Sequence, residues 1–296
     1  MKSDIIKYLR SIPLTEKLIK EREIKKQYEN EIKLLRCKSL NQSKQNSIIH
    51  FSFSKAATQY VRDIFQLISY ENGLIPVNLN GLAYVSDMPY LDQLNDKEMK
   101  EYKHMFKPTG FTYSVFGGMV ENIDEFDKYK VFYFVRDPRD LLVSDYFSTL
   151  YSHPIPPKTS NKRKDFINKK SHAEQGDIDE FVMRQSDRLK GKFDRYKVEL
   201  LDKYPNVVFT RYEDMIDDYN SWLDKLKEIC EVKLSADLEK KLKENFDSSY
   251  LETEDKSKHK RKGKSGDYLI KLKPETIDFL SNKFREHLIE YNYPLN

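Results

Sequence analysis

The chain has 296 residues, enough for one sizeable α/β domain or two small ones. Charged residues make up 34% of it but nearly cancel, and a net charge of +4 does not by itself argue for a nucleic-acid partner. Two cysteines (Cys37 and Cys230) outside any CxxC pair argue against a disulfide framework or a zinc site, the N-terminus lacks a signal-peptide core, and no apolar run approaches the ~20 residues of a membrane helix; a soluble, cytoplasmic protein is expected.

Residues 1–46 are predicted as an N-terminal helical segment and linker. Ile5, Ile6, Leu9, Leu18, Ile19, Ile24, Tyr28, Ile32 and Leu35 recur at helical spacing among lysines, arginines and glutamates. Such a segment either packs on its own domain or makes a peripheral contact with an anionic membrane. Residues 47–296 are predicted as one α/β domain. It opens with Ile48, Ile49, Phe51 and Phe53, a buried-strand pattern, and passes through Ser54-Lys55-Ala56-Ala57-Thr58-Gln59. Helical spacing follows at Tyr60, Val61, Ile64, Phe65 and Ile68. A strand feeding a helix through such a loop aims backbone N–H groups and the positive end of the helix dipole at one point. Lys55 adds a positive charge and Thr58 a hydroxyl, the equipment of a phosphate or sulfate cradle; the plain alternative is an ordinary connection with a surface lysine.

Residues 74–90 read as irregular, 91–101 as weakly helical, and 103–107 (KHMFK) as a short strand ended by Pro108-Thr109-Gly110. The strongest later strand is KVFYFV at 130–135. It is followed by Arg136-Asp137-Pro138-Arg139-Asp140 and a helix carrying Leu141, Leu142, Tyr146 and Phe147. Residues 152–176, rich in proline and lysine, read as a long loop, either functional or disordered. Helices are expected at 177–189 and 191–204, a third strand at 206–210, and helices at 219–230, 236–246 and 274–291, with a basic loop at 256–267. This alternation predicts a single α/β domain with a central, largely parallel sheet flanked by helices. Ligands of such sheets bind at the carboxyl ends of the strands, where three cation-bearing loops converge.

A P-loop nucleotide triphosphatase does not fit, because GxxxxGK[ST] is absent and no glycine lies between Ser47 and Asn72. Four segments instead resemble the sulfotransferases that use 3′-phosphoadenosine 5′-phosphosulfate (PAPS). Phe53-Ser54-Lys55-Ala56-Ala57-Thr58-Gln59-Tyr60 resembles their P-loop-like 5′-phosphosulfate loop. Arg136 and Ser144, eight residues apart, resemble the 3′-phosphate motif. Tyr212-Glu213-Asp214-Met215 is similar to a family signature whose tyrosine lies near the adenine, and Arg261-Lys262-Gly263-Lys264-Ser265-Gly266-Asp267 to the late loop that closes on the 3′-phosphate.

The resemblance implies PAPS as sulfuryl donor, no metal, and a hydroxylated acceptor, a saccharide or glycolipid or else a small metabolite. It implies donor binding by Ser54, Lys55, Ala56, Ala57, Thr58, Gln59, Arg136, Ser144, Tyr212, Arg261, Lys262 and Gly263, with Lys55 stabilising charge on the leaving oxygen. Cytosolic relatives place a histidine base in a Lys-Thr-His strand end, whose expected counterpart here is Lys107-Pro108-Thr109, without the histidine. Lys107, His104 and His153 are therefore the catalytic candidates beside Lys55, with Asp87 or Glu121 as carboxylate alternatives. Ala57 replaces the loop glycine, Gln59 the second threonine, and Tyr60 and Tyr268 tryptophans, which marks a divergent bacterial- or glycan-type branch. A phosphoryl-transfer enzyme such as a kinase, or a non-catalytic nucleotide-binding protein, are the competing readings.

Overall fold

Five short strands, β1 (Ile48–Ser52), β2 (Ile75–Val77), β3 (Phe111–Phe116), β4 (Lys130–Val135) and β5 (Phe209–Arg211), form one sheet in the order β2-β3-β1-β4-β5. Every pairing is parallel, with Ile48 opposite both Thr112 and Lys130. The structure is a computed structural model that describes residues 21–40, 43–86, 88–153, 155, 163–248 and 265–295. All five residues of the central strand β1 (Ile-Ile-His-Phe-Ser) are buried, as befits a strand covered on both faces.

The helices that matter for the site are α1 (Glu29–Leu35), α2 (Thr58–Glu71), α3 (Leu79–Val85), α4 (Pro138–Phe147), α5 (Arg163–Gln175), α6 (Ile178–Tyr196) and α7 (Tyr212–Asp217). On one face α2 packs Phe65 against Phe132 and His50. On the other, α6 brings Phe193 over Phe53, ring centroids 4.0 Å apart, and Tyr196 onto Phe51 and Tyr133. The buried Glu31 of α1 accepts the Asn78 N–H at 2.6 Å, which docks this end of the N-terminal segment beside the edge strand β2. Among the described residues no helix is long and apolar enough to cross a membrane.

Several sequence expectations are corrected. Residues 103–107 are not a strand: Lys103–Met105 is a 3₁₀ turn, and Tyr113 Oη ties its exit by accepting from the Lys107 N–H and donating to the Met105 carbonyl. The strand is the next run, Phe111–Phe116, where aromatic and β-branched residues lie between Gly110 and Gly117. The expected loop at 152–176 contains helix α5. Its only buried residue is Ala173, so it has no apolar stripe to read, and its Lys169 is held 2.5 Å from Asp145 of α4. The helices expected on either side of Lys190 are one continuous element, α6, and the third strand starts at Phe209 rather than Asn206.

Candidate active site

The loop after β1 is built on two non-glycine residues in the left-handed region, Lys55 (φ 79°) and Ala57 (φ 52°). Each such residue costs roughly 1–3 kcal/mol, a strain that persists where the surrounding structure imposes it. Ala57 is the N-cap of α2 and supplies no side-chain acceptor, so the first amides of the helix are uncapped by it. Lys55 Nζ lies 2.5 Å from Ser148 Oγ. Ser148 opens a π-turn (Ser148–Ser152) that continues α4, a local irregularity common at functional sites. Burial lowers the Lys55 pKa, while nearby Asp145 opposes that shift and Lys169 adds to it. Ser148 was missed by the sequence reading. Its signal was the four-residue spacing Ser144, Ser148, Ser152, which puts three hydroxyls near one helix face.

The second loop hooks onto the first, because the Arg136 guanidinium donates to the Lys55 carbonyl at 2.9 Å. It lies 4.2 Å over the Tyr212 ring and 3.6 Å from Asp140. Pro138 stands at the start of α4, and Asp137 caps that helix by accepting the Arg139 N–H at 2.8 Å. Arg139, fully buried, is a structural anchor: it pairs with Asp137 and donates to Ser281 Oγ and to the Pro294 carbonyl. Asp140 accepts the Gly266 and Tyr268 N–H groups at 2.8 and 3.0 Å, which fixes where the late basic loop rejoins the fold. Arg261, Lys262 and Gly263 lie outside the described residues. Ser144 sits half-buried on α4. Glu213 accepts from the Asp137 N–H and from Tyr293 Oη. Burial pushes its carboxyl up to about 7, against the opposing charge of Arg136.

Thr58 and Gln59 begin α2, and in the same first turn Tyr60 Oη donates to Tyr219 Oη at 3.1 Å. Tyr219 in turn stacks on Phe246 at 4.3 Å. These aromatic planes beside the loop carry no contiguous motif, so only Tyr60 was legible beforehand.

On the other side of Lys55 the carboxyl end of β3 leads into Gly117. The Gly117 N–H donates to Asp92 Oδ2 (3.0 Å), and its carbonyl accepts from Lys192 Nζ of α6 (3.0 Å). Burial lowers the Lys192 pKa, and Asp92 counters that shift. A Cβ placed on Gly117 would stand 3.7 Å from both Asp92 Oδ2 and Ser54 Oγ, so this turn borders the Lys55 loop.

Two catalytic candidates lie elsewhere. Lys107 precedes β3 and His104 lies in the 3₁₀ turn before it, at the amino edge of the parallel sheet, whereas Lys55 follows the carboxyl end of β1. The His104 ring is 3.3 Å from the Leu35 carbonyl. The misplacement follows from the misread strand, since the residues at the true end of β3 are Phe116-Gly117-Gly118. His153 follows the π-turn, with its ring on Phe166 at 5.1 Å. Glu121 is engaged by Arg195 at 2.5 Å, and Asp87 lies outside the described residues. His50 is a core residue: fully buried, 2.9 Å from Ser114 Oγ, with its pKa lowered to about 3 by burial.

Among solved structures, the chain is similar to mouse sulfotransferase SULT7A1 complexed with PAP, at 15% identity over 83% of this chain and 86% of that one (TM-score 0.49). It is also similar to a retinol dehydratase in complex with androsterone and inactive cofactor PAP, at 18% identity over 84% and 82% (TM-score 0.48). No curated protein sequence matches it. The family model of the sulfotransferase domain matches residues 19–292, which includes all the loops described above, and the chain therefore belongs to the sulfotransferase family.

Proposed function

We propose that this enzyme moves the sulfuryl group of PAPS to a hydroxyl acceptor by in-line displacement, leaving adenosine 3′,5′-bisphosphate (PAP). The observation that carries this reading is the bond from Arg136 to the Lys55 carbonyl. It ties a cation suited to one phosphate to the loop suited to another, an arrangement fitted to a donor phosphorylated at both ends. Ser54, Lys55, Ala56, Ala57, Thr58 and Gln59 would hold the 5′-phosphosulfate through backbone amides and the Lys55 ammonium. Arg136 would hold the 3′-phosphate with its planar fork, aided by Ser144 and by Arg261, Lys262 and Gly263. Tyr212 and the Tyr60–Tyr219–Phe246 planes would border the adenine.

In the transition state, negative charge grows on the oxygen that bridges sulfur to the 5′-phosphate. Lys55 is half-buried at the loop that would hold that group, where a preorganised cation is most effective. Its hydrogen bond to Ser148 keeps the ammonium oriented before the donor arrives. Arg188 and Lys192 lie four residues apart on α6, and Lys169 lies on α5. Arg188 and Lys169 act electrostatically on Lys192, and these charges would favour a saccharide or other polar acceptor bearing negative groups.

Isothermal titration with PAP is the direct test: micromolar binding that needs no magnesium is expected, and no heat at high micromolar ligand would sink the reading. A screen of ³⁵S-labelled PAPS against sugars and phenols then identifies the acceptor class. Liposome flotation with and without residues 1–36 separates packing of the N-terminal segment on its own domain from a peripheral membrane contact.

A further inference from the structure

Helix α6 carries a line of cations that its neighbours leave unneutralised. Arg184, Arg188 and Lys192 stand on it at four-residue intervals, so each step advances about 6 Å along one side of the helix. Arg184 and Arg188 are exposed and Lys192 is half-buried. Other charges on the same helix are paired: Lys190 with Asp194 at 2.8 Å, Arg195 with Glu121 at 2.5 Å, and Asp187 with Lys283 at 2.5 Å. Neither Arg184 nor Arg188 has a carboxylate partner among the described residues. Like charges at this spacing repel one another, and an anion laid along them would relieve that repulsion.

The line runs toward the Lys55 loop. Lys192 Nζ donates to the Gly117 carbonyl at 3.0 Å, which uses one of the three donors of an ammonium. A Cβ on Gly117 would stand 3.7 Å from Ser54 Oγ, and Ser54, next to Lys55, is exposed. The way from Arg184 to Lys55 is therefore lined by exposed or half-buried residues, Arg188, Lys192, Gly117 and Ser54. Two acids act electrostatically on Lys192, but Asp145 is already paired with Lys169 at 2.5 Å, and Asp92 accepts the Gly117 N–H. None of the residues on this path is aromatic. That suits the hydroxyls of a sugar better than a phenol or a nucleobase, whose rings need an apolar or stacking surface.

We infer that this side of α6 is the track for an extended anionic polysaccharide, the acceptor in the sulfuryl-transfer reading on which the inference rests. Successive negative groups of the polymer lie along Arg184, Arg188 and Lys192, which brings one of its hydroxyls beside Ser54 and Lys55. The three cations determine which acceptor is used and where along the polymer sulfation falls. They take no part in breaking the bond to sulfur. Because Arg184 and Arg188 are exposed, their hold on the polymer weakens as salt is added.

The test offers ³⁵S-labelled PAPS with hyaluronan, chondroitin or polygalacturonate, with neutral dextran, and with a phenol mixture. Two other anionic polymers, a single-stranded oligonucleotide and a tyrosine-containing polyglutamate, complete the set. Label is expected on at least one acidic polysaccharide, with kcat/KM roughly tenfold or more above that for dextran and falling as salt rises. Arg184→Glu and Arg188→Glu should each raise the KM for that polysaccharide by about 5- to 20-fold, with kcat and PAP affinity changed by less than about twofold. Lys240→Glu makes the same change of sign at an exposed lysine of the helix Ala236–Ser248 and should leave KM where it was. Equal KM shifts in Arg188→Glu and Lys240→Glu would overturn the inference. So would preferential labelling of dextran, phenols, the oligonucleotide or polyglutamate, or PAP binding with no label on any acidic polysaccharide. A parent enzyme that neither binds PAP nor moves label to any of these acceptors would instead overturn the sulfuryl-transfer reading itself.

Discussion

The groups proposed to hold the donor come in contiguous runs, residues 54–59 and 136–140, and they lock together through buried charge: Arg136 is 6% exposed and Asp140 1%. The groups gathered around Gly117 are single residues from separate elements. Asp92 reaches Gly117 across 25 positions, and Lys192 reaches the same glycine across 75. Lys192 is half-buried and Arg188 exposed. Binding a phosphate draws on successive backbone amides and a helix start, which forces its residues to be neighbours in sequence. Holding a glycine turn needs only one hydrogen bond from each side chain, which any element can deliver.

Four substitutions can break or sharpen that contrast. Lys55→Ala should lower turnover by about 10²- to 10³-fold while changing PAP affinity only a few-fold, because its charge acts mainly on the leaving oxygen. Rapid-quench kinetics beside calorimetry separates the two quantities, and equal small effects on both would contradict the role. Arg136→Ala should do the reverse, weakening PAP by roughly 10- to 100-fold, as expected when a charge-assisted contact of about 1.5–3 kcal/mol is removed. If its turnover at saturating donor falls as far as that of Lys55→Ala, the two loops do not divide the work.

Glu213 supplies a pH-dependent prediction on the donor side. Its folded pKa of about 7 lies above the 4.5 of an ordinary glutamate, so between those values the folded state holds the extra proton. Its contribution to stability is therefore fully present below about pH 4.5 and lost as pH rises to about 7. Once ionised, Glu213 would compete with the 3′-phosphate proposed to bind Arg136. PAP should thus bind several-fold more tightly to the parent at pH 6 than at pH 8, measured relative to Glu213→Gln, which cancels the titration of the ligand itself. Matching pH profiles for the two proteins would remove Glu213 from the donor site. The smallest effect is expected from Ala57→Gly, which relieves a left-handed alanine and should raise stability by about 1 kcal/mol. A melting temperature that does not rise by a degree or two would show that the loop carries no such strain.

The contrast also explains what could be read in advance. The parallel sheet and the positions of the Lys55 and Arg136 loops were legible because buried runs of Ile, Phe and Val mark β1 and β4, and the loops following them are short and charged. β3 was misplaced by several residues because KHMFK imitates strand alternation, and with it went the assignments of Lys107 and His104. Helix α5 carries almost no apolar signal and is held by contacts such as Lys169–Asp145. The Asp92–Gly117 contact was not legible because nothing in Leu91-Asp92-Gln93 announces that Gly117 will pack against it. Such a contact becomes visible only when tertiary packing is known.

Residues 292–294 have a further consequence, for the timing of folding. The Asn292 carbonyl accepts from Arg211, Tyr293 Oη donates to Glu213, and the Pro294 carbonyl accepts from the buried Arg139. The loops after β4 and β5 are thus clasped by a segment synthesised some 80 to 155 residues later. Domains generally fold as units during synthesis, amino-terminal parts first. Here the nascent chain is expected to hold Arg139 without its full set of acceptors until that segment emerges. PAP binding should accordingly appear late in translation, and a chain stopped at residue 290 should bind PAP poorly even though every donor-facing side chain is already present.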